Sequence, residues 1–265
     1  MKCFFDIHEE MFWFKAYADM VKVAITTMRK YTNALEPYVV YDGWPNAFTD
    51  WLQAHQVGVI YRRSLLYPKL IQLDRETKDK AYLNHGPGVL LKLDLTNICK
   101  ELGWKDEQII FFDCDVIFTG DPTSLWTSLQ GKCFAVAAED DPNVPERLNT
   151  GVMLIDVEAL HKHSDALRRY TSENLPELIQ ISWDQHAYKM YFKELGWAVL
   201  PAELNWKPYW GINPNARIVH FHGPKPFLRS EIAAGRVHEA HKPLVSGAFY
   251  HYCDLYDKAL VEANA

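Results

Sequence analysis

Gln108-Ile109-Ile110-Phe111-Phe112-Asp113-Cys114-Asp115-Val116 is the stretch on which the fold turns. Ile109 to Phe112 is a continuous apolar run of strand length, and it leads straight into two carboxylates. In open α/β sheets, ligands sit beyond the carboxyl ends of the strands. Asp113 lies at such an end. If the chain stays extended, side chains two residues apart face the same way, so Asp113 and Asp115 stand side by side. Two such carboxylates repel each other unless a cation sits between them. Hard oxygen ligands favour Mg²⁺ or Mn²⁺, and these ions in turn bind diphosphate oxygens. The plainer alternative is a strand end followed by a solvated acidic turn.

The flanking sequence alternates strand and helix signals. Toward the N-terminus, Lys2 to Ile7 reads as a strand and Tyr17 to Tyr31 as a helix. Tyr38 to Tyr41 is a buried strand stopped by Asp42-Gly43, Ala47 to His55 is helical, and Val57 to Tyr61 is a strand. Beyond Asp115, Cys133 to Ala137 and Val152 to Ile155 are further apolar runs, and Asp184 to Phe192 is helical. Ile218 to Phe221 is a short strand, and Gly247 to Ala263 is an amphipathic helix. No repeat or linker interrupts the chain. The expectation is one α/β domain over residues 1–265, with a Rossmann-like, mostly parallel central sheet and helices on both faces.

Composition narrows the function. With 265 residues, 48% of them hydrophobic, the chain can bury a sizeable core. A net charge of −6 argues against a protein that coats nucleic acid. It is compatible with a nucleotide diphosphate, which one metal ion and one or two basic side chains neutralise. Aromatics at 14%, with nine Trp, are compatible with sugar stacking as well as with core packing. Cys3, Cys99, Cys114, Cys133 and Cys253 are odd in number and lack CxxC spacing. A reducing compartment, the cytoplasm, is expected. The opening MKCFFDIHEEMFWF is broken by acids, so neither a signal peptide nor a membrane span is expected there.

A second cluster, Ile218-Val219-His220-Phe221-His222-Gly223-Pro224-Lys225-Pro226, follows a short strand. His220, at the strand end, suits a third metal ligand, and His222 suits a supporting role. Gly223 permits close backbone approach to a phosphate, and Lys225 supplies a point charge. The alternative is a loop with a capping histidine. Between the two clusters, Leu204 to Gly211 is dense in aromatics. It reads either as an acceptor platform or as packing beneath the site.

Together these blocks resemble the retaining glycosyltransferases of family 8, the glycogenin, galactinol synthase and bacterial lipopolysaccharide galactosyltransferase type, which have the GT-A fold. Leu91-Lys92-Leu93 is similar to the family's basic residue upstream of the metal motif. Asp113-Cys114-Asp115, with Gly120-Asp121-Pro122 and Leu125-Trp126, is similar to the metal motif itself. Leu148 to Ile155, with Asn149-Thr150-Gly151, resembles the segment facing the donor sugar, and Asp184-Gln185 the pair near the anomeric carbon. His220-x-x-Gly223-x-Lys225-Pro226-Phe227 resembles the closing block, one residue short and ending in Phe where the family has Trp. The first strand of the family ends in residues that grip uracil, to which Phe5-Asp6-Ile7-His8 is a loose counterpart.

The resemblance implies that Asp113, Asp115 and His220 hold Mn²⁺ or Mg²⁺ on the two phosphates of a UDP-sugar. Lys92, Lys225, His222 and Gly223 would border the diphosphate. Asp140, Asn149, Thr150, Gly151, Asp184 and Gln185 would hold the sugar, with Asp184 or Gln185 the nucleophile if the reaction were a double displacement. The acceptor would be a glycan, a lipid-linked oligosaccharide or a protein. Two rivals compete: a HAD-type phosphatase, whose nucleophile also lies in a D-x-D after an apolar strand, and a non-catalytic carbohydrate-binding protein with a transferase fold.

Overall fold

A computed structural model describes residues 1–144 and 146–265; the side chain of Leu125, part of the second motif block, lies outside the described residues. The first half of the chain winds β1 (Lys2–His8), α1 (Phe14–Tyr31), β2 (Glu36–Asp42), α2 (Ala47–Ala54) and β3 (Gly58–Tyr61). These three strands are parallel and neighbouring. Asn46 begins α2 by accepting hydrogen bonds from Phe48 N–H at 2.9 Å and Thr49 N–H at 3.3 Å, the capping that Asn supplies well. Four short helices follow: α3 (Tyr67–Thr77), α4 (Ala81–Asn84), α5 (Gly86–Val89) and α6 (Leu95–Glu101). None of these was anticipated from the sequence.

The second half places β4 (Gln108–Phe112) beside β1, parallel to it. Then come β5 (Val116–Phe118), β6 (Phe134–Ala138), β7 (Leu148–Asp156), α7 (Val157–Ile181), α8 (Trp183–Tyr191), β8 (Ala198–Val199), β9 (Ile218–His220), α9 (Arg229–Ala233) and α10 (Gly247–Ala263). The main sheet has the order β3-β2-β1-β4-β7-β6-β8. It is mostly parallel, but β7 runs antiparallel to both β4 and β6. The chain steps outward from β1 to β3 and then returns to the other side of β1 as β4. That reversal of direction opens a crevice between the carboxyl ends of β1 and β4.

Alternation along the strands supplies both cores. Cys3, Phe5 and Ile7 pack with Val21, Ile25, Phe48 and Leu52 from α1 and α2. Phe4 and Phe111 pack on the opposite face with Leu70, Leu90, Ile98, Leu167 and Tyr188 from the helices of that side. A third cluster seats α10, through Phe249, Tyr252 and Tyr256, against Val219 and Phe221.

A separate two-stranded ribbon, β5 with β9, matters most for function. It pairs Val116 with His220 and Phe118 with Ile218, antiparallel. Phe221 N–H also donates to Asp115 C=O at 2.9 Å. This ribbon brings together two sequence clusters that are over a hundred residues apart.

Candidate functional site

Asp113 is the first residue beyond β4, and its N–H donates to Gly151 C=O at 2.8 Å. This bond fixes where the D-x-D turn leaves the sheet. His220 Nε2 then lies 3.1 Å from Asp115 Oδ1 and 3.6 Å from Asp113 Oδ2. One ligand atom from each of the three falls within 4.8 Å of the others. Asp115 Oδ1 is buried with no hydrogen-bond donor on it. Two carboxylates and an imidazole converging on one point, with a buried oxygen left bare, fit a divalent cation.

Positive side chains border this centre. Burial alone would raise the Asp115 carboxyl, but the Lys225 ammonium, then His220, pull it well below the usual carboxylate range. Lys225 is ion-paired with Asp115 and donates to Phe221 C=O at 2.9 Å. Lys92, only 3% exposed, bridges Asp113 at 3.0 Å and Asp184 at 2.9 Å, and donates to Thr150 C=O at 3.2 Å. Burial works against its charge, but Asp113, then Asp184 and Asp6, hold its amine above the usual lysine range. Three carboxylates thus share one buried ammonium. Burial accordingly leaves both Asp6 and Asp184 raised.

The chain enters α8 through Trp183 at φ 47°, an uncommon angle for a bulky residue, and the next two residues are Asp184 and Gln185. Asp184 Oδ2 accepts from Thr150 Oγ1 at 2.8 Å in addition to Lys92. Gln185 Oε1 accepts from Asn149 Nδ2 at 2.9 Å and from Thr150 N–H at 3.3 Å. Asn149, Thr150, Asp184 and Gln185 therefore form one buried network. Gly151 lies directly under the His220 ring: a Cβ there would meet His220 Cε1 at 2.2 Å. Gly223, at φ 90°, faces Leu244.

A cleft of about 230 Å³ runs over these groups, lined by Lys92, Asp113, Asp115, Asp184, His220, His222 and Lys225 among others. Asn149, Thr150, Gly151 and Gln185 sit behind that lining. Asp140 lies apart, exposed, and its carboxylate pairs with Arg147 at 3.2 Å.

Sequence reading overlooked several groups. Glu139, next to Asp140, is half-buried with its carboxylate 3.5 Å from His222 Nε2; burial raises it. Burial also pushes the His222 imidazole well below its usual range, and Tyr209 OH lies 3.1 Å from its Nδ1. Asp6 lines the cleft with Oδ2 bare of hydrogen bonds. The β1–β4 register, which pairs Phe4 with Phe111, carries Asp6 level with Asp113. The resemblance pointed to the strand end Phe5-Asp6-Ile7-His8, and the register shows that Asp6 is the residue of it that comes level with Asp113. Lys207 is fully buried, donating to Ala138 C=O at 2.6 Å. The aromatics of the 204–211 segment are tied internally, with Tyr209 OH donating to Glu139 C=O and Trp210 Nε1 to Asp140 C=O.

Comparison with known proteins agrees with this geometry. The fold matches the galactosyltransferase LgtC, solved with donor and acceptor sugar analogs, at a TM-score of 0.64 and 14% identity over 99% of this chain and 96% of that one. The glycosyltransferase GlyE of Streptococcus pneumoniae TIGR4 matches at 0.63 and 14% identity over 98% of this chain, which spans 63% of the GlyE chain. Mouse xyloside xylosyltransferase 1 matches at 0.53 and 16% identity, over 83% of this chain and 96% of that one. These likenesses establish the GT-A fold. Curated protein sequences give no match. The sequence profile of Glycosyl transferase family 8 matches residues 11–230. That match sets aside the phosphatase alternative: the chain belongs to glycosyl transferase family 8 and is a glycosyltransferase.

Proposed function

We propose that residues 1–265 act as one transferase domain that moves a hexose from a UDP-sugar to a hydroxyl acceptor, with retention, using Mn²⁺ or Mg²⁺. The observation that carries this reading is the convergence of Asp113, Asp115 and His220 on one point, with Asp115 Oδ1 left bare. When bound, the cation neutralises the donor's diphosphate and stabilises it as the glycosidic bond breaks. Lys225, beside Asp115, adds positive charge at the same oxygens. Lys92 holds Asp113 and Asp184 in fixed relation, so the metal side and the sugar side of the cleft keep their spacing. Asn149, Thr150 and Gln185 hold the wall against which the sugar is oriented.

Asp184 Oδ2 already accepts from Lys92 and Thr150, and Gln185 Oε1 from Asn149 and Thr150. Groups so committed are poorly placed as nucleophiles. This supports a reaction on one face, with the donor phosphate assisting deprotonation of the acceptor, over a double displacement. The acceptor is a glycan, a lipid-linked oligosaccharide or a protein. No helix among the described residues is long and apolar enough to cross a membrane, and five unpaired thiols suit the cytoplasm. Incubation with UDP-glucose, UDP-galactose, UDP-N-acetylglucosamine and GDP-mannose, with Mn²⁺ or EDTA, tests the reading. UDP released from one of the UDP-sugars only with metal is expected. Release unaffected by EDTA, or from GDP-mannose alone, would contradict it.

A further inference from the structure

Four side chains, Gln185, Asn149 and Asn205 behind the cleft and His220 in its wall, form a hydrogen-bonded row whose direction is fixed by the backbone. Gly151 N–H can only donate, and it donates to Asn149 Oδ1 at 3.1 Å. Thr150 N–H likewise fixes Gln185 Oε1 as an acceptor, so the Asn149 group facing it, 2.9 Å away, is the amino Nδ2. Both ends of the Asn149 amide are thereby assigned. The Asn205 group lying 2.8 Å from Asn149 Oδ1 is then its amino group. Its other end, Oδ1, is left facing His220 Nδ1 at 2.9 Å. An amide oxygen can only accept, so His220 Nδ1 carries a proton. Nε2, which faces Asp113 and Asp115, is then the ring nitrogen that can offer its lone pair to a cation.

We infer that Asn205 is a positioning residue: it fixes the ring orientation and tautomer of His220 for the cation, and it ties that ligand to the sugar-side amides Asn149 and Gln185. The inference rests on the metal-site reading above. Asn205 is fully buried and does not line the cleft. Gly151 lets the imidazole lie close against the strand, and Asn205 supplies the directional hydrogen bond that sets the ring's orientation there. Partners that accept the outer N–H of a metal-bound histidine change metal affinity by about 10- to 100-fold. The row also makes metal and sugar sites neighbours in one network.

Mn²⁺ titration of the full chain, read by electron paramagnetic resonance without any sugar, tests this. Asn205→Ala removes both bonds and is expected to weaken Mn²⁺ binding about 10-fold or more. Asn205→Asp still accepts from Nδ1–H but cannot donate to Asn149, and is expected to bind Mn²⁺ within about threefold of wild type. Equal affinity in wild type and Asn205→Ala overturns the inference, as does an equal loss in both variants. Melting curves show whether a variant folds. Should Asn205→Ala not fold, ¹⁵N shifts of the His220 ring in the Mg²⁺-loaded wild type decide: a proton on Nδ1 supports the inference and one on Nε2 overturns it. A wild type that takes up neither ion, even with UDP present, would instead overturn the metal reading beneath it.

Discussion

Replacing Gly151 by alanine adds one methyl group at the most crowded point of the site. Its Cβ would sit 2.2 Å from His220 Cε1, 2.5 Å from Nδ1 and 3.0 Å from Asn149 Oδ1. Ordinary contact begins near 3.4 Å, so about 1.2 Å of separation must be found. On the β4 side the strand is held, because Val152 pairs with Phe112 and the Gly151 carbonyl accepts from Asp113 N–H at 2.8 Å, although the β6 ladder skips residues 150–152. The imidazole must therefore tilt away, taking Nε2 off its line to the carboxylates. Overpacking of this kind costs about 1–3 kcal/mol of stability, which a chain of this size survives. A misplacement of about 1 Å at a reacting centre costs about 100-fold in rate. We expect Gly151→Ala to fold, to lose about 100-fold in metal-dependent turnover of the UDP-sugar, and to bind Mn²⁺ more weakly. Turnover within about threefold of wild type, with unchanged metal affinity, would refute the placement of His220 over Gly151.

Other substitutions test neighbouring parts of the account. Lys92→Met leaves Asp113 and Asp184 facing each other without their shared cation, and urea unfolding of the metal-free protein should show a loss of about 3–5 kcal/mol. Burial raises the Asp6 carboxyl above its ordinary 3.8. The folded chain thus holds that proton more tightly than the unfolded one, and this group's contribution to stability falls as pH rises above that value. In EDTA, the melting-temperature advantage of Asp6→Asn should grow from about pH 4 toward neutrality; a difference constant with pH would contradict the raised carboxyl. Glu139→Gln and Asp140→Asn separate two adjacent acids. The first faces His222 and should lower kcat/KM for transfer by about 10-fold or more, and the second, exposed on Arg147, by less than about twofold.

Much of this arrangement was legible in the residues because it rests on local signals. The apolar run 109–112 reads as a buried strand wherever it lies, and a strand end followed by D-x-D is a local event. Strand direction is not local. Leu148 to Ile155 is buried at every position, so its pattern is the same whether it runs with β4 or against it, and its reversal stayed hidden. The helices between residues 67 and 101 are short, and Gly86-Pro87-Gly88 breaks their periodicity. The ribbon that carries His220 to Asp115 pairs two strands of three residues each, far apart in the chain. His220 was suggested as a ligand by its residue type and neighbours, while the pairing that delivers it was invisible. Asn205 lay within an aromatic stretch that drew attention to its rings. Its role depends on four amide and imidazole groups meeting from four separate segments.

The central claim is that Asp113, Asp115 and His220 hold a divalent cation through which the chain grips a nucleoside diphosphate. Calorimetric titration of UDP into the protein, once with Mn²⁺ and once with EDTA, tests it most directly. We predict binding that weakens by about 100-fold or more without the metal, and an equal loss in Asp115→Asn with the metal present. UDP binding of the same strength in EDTA, or in Asp115→Asn, would contradict it.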